Sequence, residues 1–279
     1  MKTTSWAHSA SLACVVASAL VAAPAFAEQK PLWELGLGAA ALNGPDYRGA
    51  DQRSTFVLPF PYVVYRGRFL KAEGDGVRGL LRKTDVYEIN VSVGGATPVQ
   101  SHANARRGMP DLDPALEIGP SLNLTLAGGE HEATEWQLRL PVRAVLTSDF
   151  SSVANRGFVA NPNLNVDVRH GIPGGWRLGA SVGAMFADSD YNSYYYDVKP
   201  KFATPDRAAY DTGGGYAGLR ASLSMTNRFG NVWVGSYVRY ENVSHATFDS
   251  SPLVERDGGV SVGGAFAIIF AKSSAMVEE

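Results

Sequence analysis

The chain has 279 residues, a formal net charge of −2 and 19% charged residues, a near-neutral balance with no basic stripe for nucleic acid. A mean hydropathy of −0.09 excludes a polytopic helical membrane protein. Beyond residue 27 no apolar run reaches the roughly 18 residues that a spanning helix needs.

The first 27 residues read as a secretion signal. Lys2 supplies the positive start, residues 12–23 a short apolar stretch, and Ala25-Phe26-Ala27 a small-residue cleavage site before Glu28. Cys14, the sole cysteine, lies inside this signal, so disulfides and thiol chemistry are not expected in the mature chain. The remainder, 28–279, shows no linker or low-complexity tract and reads as a single domain.

The first strand is expected over 32–42, with Trp33, Leu35, Leu37, Ala39 and Ala41 on one face. A polar loop over 43–52 leads to 55–65, where Pro59 and Pro61 mark a distorted strand, because proline cannot donate to a ladder. Residues 68–81 fit either one irregular strand or a hairpin turning at Gly74-Asp75-Gly76. Residues 86–93 alternate cleanly, and a long polar loop follows from 98 to 114.

The most regular stretch is 116–146. Leu116, Ile118, Leu122, Leu124 and Leu126 oppose Glu117, Gly119, Ser121, Asn123 and Thr125. After a turn at 128–131, Trp136, Leu138, Leu140, Val142, Ala144 and Leu146 oppose Glu135, Gln137, Arg139 and Arg143. A period of two means β-strand, and runs of ten or more residues match the roughly 9–11 residues of a tilted spanning strand. A loop at 148–157 precedes a strand over 158–169, and the glycine-rich turn 171–175 leads into 176–186. A long tyrosine-rich loop runs over 188–213. The hairpin 216–241 turns at Gly230-Asn231, and a further loop holds 249–254. The last strand carries Val260, Val262, Phe266, Ile268 and Phe270 on one face.

The chain is therefore expected to be all-β, an antiparallel transmembrane barrel with an apolar outer face set in outer-membrane lipid. Short turns near Thr84, Gly129, Gly174 and Gly230 alternate with longer loops near 105, 152, 200 and 250, which places the short set in the periplasm. An even strand number returns both ends to that side, so the hairpin reading of 68–81 gives twelve strands, with ten as the alternative.

Several segments, in order, resemble the MipA/OmpV family of outer-membrane proteins of Gram-negative bacteria. They are Trp33-Glu34-Leu35-Gly36, Pro45-Asp46-Tyr47-Arg48-Gly49, Pro59-Phe60-Pro61-Tyr62 with Tyr65-Arg66-Gly67, Gly108-Met109-Pro110, Tyr195-Tyr196-Asp197-Val198 and Ser251-Pro252-Leu253-Val254. The resemblance implies a barrel without enzymatic activity or cofactor. It further implies a scaffold that brings a lytic transglycosylase together with a peptidoglycan synthase. Barrels of this kind usually end on an aromatic residue read by the barrel-insertion machinery. Here nine residues follow Phe270.

The polar parity carries Glu34, Glu88, Glu117, Glu135, Arg139, Arg143, Asp167, Arg169, Arg177, Arg220, Arg228, Arg239 and Glu241. They read either as a charge-selective channel lining or as mutually paired charges filling a narrow barrel, and their mixed signs favour pairing. A narrow channel or small-molecule-binding barrel is the alternative function, and a surface adhesin a third. Ser101-His102 and Ser244-His245 make poor dyads, because neighbours on a strand face opposite ways. Asp111, Asp113 and Glu117 have calcium-type chemistry but read better as a solvated acidic loop. Tyr191, Tyr194, Tyr195 and Tyr196 read as part of an interfacial aromatic girdle or as a platform for a stacked ligand.

Overall fold

The computed structural model describes residues 29–278 apart from 67–69, 74–75, 85, 103–104, 130–131 and 150. The signal segment with Ala25, Ala27 and Glu28, the centre of the expected turn at Gly74-Asp75, and His131 lie outside the described residues.

In chain order the strands are β1 (Gln29–Pro31), β2 (Trp33–Pro45), β3 (Arg53–Arg66), β4 (Leu70–Glu73), β5 (Gly76–Lys83), β6 (Tyr87–Ala96), β7 (Ala115–Ala127) and β8 (Thr134–Ser148). Then come β9 (Val153–Ala160), β10 (Asn163–Val168), β11 (Arg177–Ala187), helix α1 (Ser189–Tyr196), β12 (Gly215–Phe229), β13 (Val232–Asn242), β14 (Gly258–Lys272) and β15 (Met276–Glu278). From β2 to β9 and again from β10 to β14 each strand pairs antiparallel with the next, and β14 pairs back onto β2. The sheet closes on itself, and along β3 the closing contact is confined to its last residues at the short-turn end. β9 and β10 both pair with β8 on one side and β11 on the other, so together they occupy one wall position. Among the described residues the wall thus has twelve positions, with β4 and β5 forming the hairpin that the even count required.

Register sets which side chains face out. Leu37 lies opposite Ile268, Leu122 opposite Leu140, and Leu138 opposite Leu164. Of these, Leu37, Ile268, Leu122 and Leu164 stand exposed, as do Val57, Leu223, Phe266 and Phe270, and Leu138 and Leu140 are half-buried, whereas Glu34, Asn90, Glu117, Asn123, Glu135 and Asn165 on the other parity are buried. Apolar side chains out and polar side chains in is the inverse of a water-soluble fold, and it follows from a wall set in hydrocarbon.

Local sequence explains the irregularities. Asn161 and Pro162 interrupt the expected strand 158–169. The Asn161 side-chain Nδ2 compensates by donating to the Ala184 carbonyl at 2.7 Å. The expected loop 148–157 is instead a four-residue turn, 149–152. There the Asp149 carboxylate accepts from the amides and hydroxyls of Ser151 and Ser152. Its Asx-type hydrogen bonds let the strands continue closer to the turn than polarity alone suggested.

Pro59 and Pro61 are accommodated by parity. Arg66 donates its amide to Leu32 across the β2 side, and the β2–β3 register runs without a shift from Trp33↔Tyr65 to Pro45↔Arg53. Even-numbered β3 residues therefore direct their amides toward β2, and the nitrogens of Pro59 and Pro61 face the opposite edge. Among the described residues that edge pairs only at Tyr65↔Ala72 and Arg66↔Lys71. Proline sits where no donor is needed.

The residues after Phe270 are part of the structure. β15 pairs with β1 through Gln29↔Glu278, Lys30↔Val277 and Pro31↔Met276. This two-stranded sheet extends the β2–β14 pairing past the rim at the short-turn end.

Candidate functional site

The loops 46–52, 97–114, 188–214 and 243–257 gather over the end opposite the termini. They carry most of the buried apolar cluster, including Tyr47, Val99, Leu112, Tyr191, Tyr195, Tyr196, Val198, Phe248 and Leu253. The folded core is thus a cap across the mouth. Helix α1 starts at Asp188, whose carboxylate accepts from the Tyr191 amide, and it delivers three tyrosines into that core. Tyr196 stacks on Phe248 at 3.6 Å between centroids. These tyrosines belong neither to an interfacial girdle nor to an open stacking platform, because their rings are covered by the cap itself.

The short segments quoted above from the sequence interlock here. The Tyr47 hydroxyl donates to the Leu253 carbonyl at 2.8 Å, Tyr196 to Arg48 at 2.9 Å, and Ser251 to the Tyr196 carbonyl at 2.7 Å. Gly49, at φ +89, turns its carbonyl to accept from the amides of Glu255 and Arg256. Asp46 accepts from Ser54 at 2.6 Å, and Arg106 donates to the carbonyls of Tyr195 and Pro110. Pro45 closes β2 just before this turn, and Pro252 lies between Ser251 and Leu253 in the buried loop. Burial holds the Tyr47, Tyr195 and Tyr196 phenols above their ordinary range and pushes Tyr191 up to about 12.

Below the cap the lumen is lined by ion pairs in two tiers. Near the short-turn end Glu34 meets Arg228 at 2.6 Å and Arg66 at 3.3 Å, while Arg169 pairs with Glu135. Arg139 meets Asp167 at 2.8 Å, and Asn165 completes that carboxylate. Near the cap Arg143 meets Glu117 at 3.2 Å and donates to Ser92, and Arg220 makes two bonds to Glu241. Arg239 lies over the Tyr237 ring. Tyr62 and Trp233 meet across the lumen at 5.8 Å between centroids.

Arg48 and Arg66 are the lumen charges that alternation missed. Arg48 sits in a loop with no parity to read, yet it reaches Glu241 at 3.2 Å. Asp111 and Asp113 do not join Glu117. The Asp111 carboxylate accepts from the Ser101 amide, Asp113 donates its amide to Tyr194, and Glu117 faces the lumen. Among the described residues no group of three acidic, histidine or cysteine side chains could hold a metal ion. Ser101 donates to the Pro110 carbonyl and His102 is exposed beside it, so this pair assembles no nucleophile and base.

The family model described as MltA-interacting protein MipA matches residues 37–270. Outer membrane protein Omp26La of Vibrio anguillarum is 27% identical over 74% of this chain and 76% of its own length. Outer membrane protein OmpV of Vibrio cholerae is 25% identical over 61% of this chain and 60% of its own length. Among solved structures, the NanC porin is similar at a TM-score of 0.39 with 8% identity, covering 83% of this chain and 98% of that one.

Proposed function

Since the chain belongs to the MltA-interacting protein MipA family of outer-membrane β-barrels, we propose that it works as a sealed, non-catalytic barrel that docks peptidoglycan enzymes at its periplasmic face. The family description points to a lytic transglycosylase as one partner, and a peptidoglycan synthase is the second. The observation that carries this reading is the contrast between the two ends. The outer mouth is closed by a packed cap, and the lumen is lined by paired charges, of which Glu34–Arg228 bridges non-neighbouring strands. The short-turn end adds the β1–β15 sheet beyond the rim. Short turns alone offer little area against the roughly 800 Å² per partner that a specific interface buries. The added sheet enlarges that face and supplies strand edges for a partner.

The test is binding of a soluble lytic transglycosylase to the purified barrel and to a barrel ending at Lys272, which keeps β14 and lacks β15. Binding by the full chain that weakens in the shortened one supports the reading. Absence of binding by both, or equal binding, counts against docking through this sheet.

A further inference from the structure

We propose that the cavity beneath the cap binds a small oxyanion, a carboxylate or a phosphate group, held by Arg48 and Arg239. This goes beyond docking at the opposite end and does not depend on it. The cavity measures about 190 Å³ and lies between the cap tyrosines and the inner wall. At roughly 30 Å³ per water molecule it holds several waters or one small solute.

Its donors outnumber its acceptors. Nε, Nη1 and Nη2 of Arg48 and Nε of Arg239 are buried without a hydrogen-bond acceptor in the protein. Arg48 Nε stands 3.2 Å from Glu241 Oε1, an ion-pair contact outside hydrogen-bond geometry, and its side chain is 9% exposed. Glu241 is already engaged by two bonds from Arg220. Glu117 faces Arg143, and Asp46 at the rim accepts from Ser54. Three guanidiniums, from Arg48, Arg220 and Arg239, line the cavity with three carboxylates, of Asp46, Glu117 and Glu241, and Glu117 is taken up by Arg143 from outside the lining. A buried charged donor left unsatisfied costs its desolvation in full. The unfilled positions in the cavity are guanidinium donors, so the ligand that fits them is an anion with oxygen acceptors. A planar guanidinium fork matches two oxygens of a carboxylate or phosphate better than a spherical halide. Arg48 is anchored by its backbone, since its carbonyl accepts from Tyr196, and the ligand would thereby tie the cap to the wall.

The experiment titrates the detergent-purified full-length barrel with inorganic phosphate, glucuronate, chloride and glucose. It follows the side-chain Nε–Hε resonances of arginine by NMR. Saturable shifts with phosphate, glucuronate or both are expected, with glucose inert. Phosphate alone would assign a phosphate ester or free phosphate, and glucuronate alone a sugar acid. Arg239→Gln is expected to weaken binding about tenfold or more. Arg239→Lys should keep part of it, and Arg107→Gln, on the exposed loop, all of it. Heat-modifiable gel migration reports that each variant is folded. A folded Arg239→Gln barrel that binds as the parent does would overturn the proposal. So would chloride binding as tightly as the oxyanions, or no saturable shift with any anion.

Discussion

Glu34 and Arg228 are 194 residues apart in sequence and 2.6 Å apart in the lumen, with Glu34 only 1% exposed. The pair spans the interior from β2 to β12, and Arg66 shares the same carboxylate. Removing one partner from a buried pair leaves uncompensated charge, at a cost of about 3–5 kcal/mol. Glu34→Gln should therefore lower unfolding free energy by about that amount in urea titrations of the vesicle-inserted barrel. The double variant Glu34→Gln/Arg228→Gln should recover part of the loss. A single variant within about 0.5 kcal/mol of the parent, the range of ordinary surface changes, would contradict the assignment.

The cap rests on hydrogen bonds between distant loops, and Tyr47 to Leu253 is a buried one. Tyr47→Phe keeps the ring and orphans the Leu253 carbonyl, so a loss of about 1–3 kcal/mol is expected. Faster amide exchange should appear in 46–52 and 251–255, with little change in the strands. Uniform loss across the barrel would show that the cap does not fold as a separate layer on the wall.

Alkali should loosen the same cap. Burial raises the phenols of Tyr47, Tyr191, Tyr195 and Tyr196 above their usual 10.0. Above that pH the unfolded chain gives up protons that the folded cap retains. Stability is thus complete below pH 10 and falls as pH rises from there through about 12, the value for Tyr191. Phenolate absorbance should show these tyrosines ionising late and together with cap opening.

Acid should act at the opposite kind of group. The Ser151 hydroxyl, followed by the amides of Ser152 and Ser151, holds the Asp149 carboxyl at about 2, below the ordinary 3.8. Its contribution to the β8–β9 turn is present above pH 3.8 and disappears as pH falls through 2. Amide exchange at Ser151 and Ser152, corrected for its intrinsic pH dependence, should rise across that window. The Asp149→Asn barrel should show no such step.

The prolines of β3 make a separate prediction. Because their nitrogens face away from β2, Pro59→Val and Pro61→Val should keep the β2–β3 ladder and leave monomer stability within about 1 kcal/mol. They restore two donors on an edge that pairs only at its short-turn end among the described residues. Native mass spectrometry should then find more dimer than in the parent. An unchanged monomer fraction would mean that the edge is guarded by something other than proline.

Alternation made the wall legible wherever one face meets lipid and the other meets packed polar groups. Leu116 to Leu126 and Trp136 to Leu146 face outward as their parity requires. Parity also gave the even count, because both ends of the sheet must return to the side of the short turns. What it could not give lies where the period stops. The Asn161-Pro162 break divides one wall position into two segments, and the 149–152 turn is closed by side-chain hydrogen bonds that hydropathy does not register. The cap is built from contacts between residues as distant as Tyr47 and Leu253, and its tyrosines carry no spacing signal for that role. Arg48 reaches the lumen from a loop, where no neighbour's parity announces its direction.

The docking claim is tested most directly by photo-crosslinking in living cells. A crosslinking side chain would replace Pro173 or Ser274 at the short-turn end, or Asp206 on the exposed cap loop. The account predicts capture of a lytic transglycosylase or a peptidoglycan synthase from Pro173 and Ser274, and from Asp206 neither. Capture of those enzymes from Asp206 alone, or of nothing but the barrel-insertion machinery from the periplasmic positions, would contradict it.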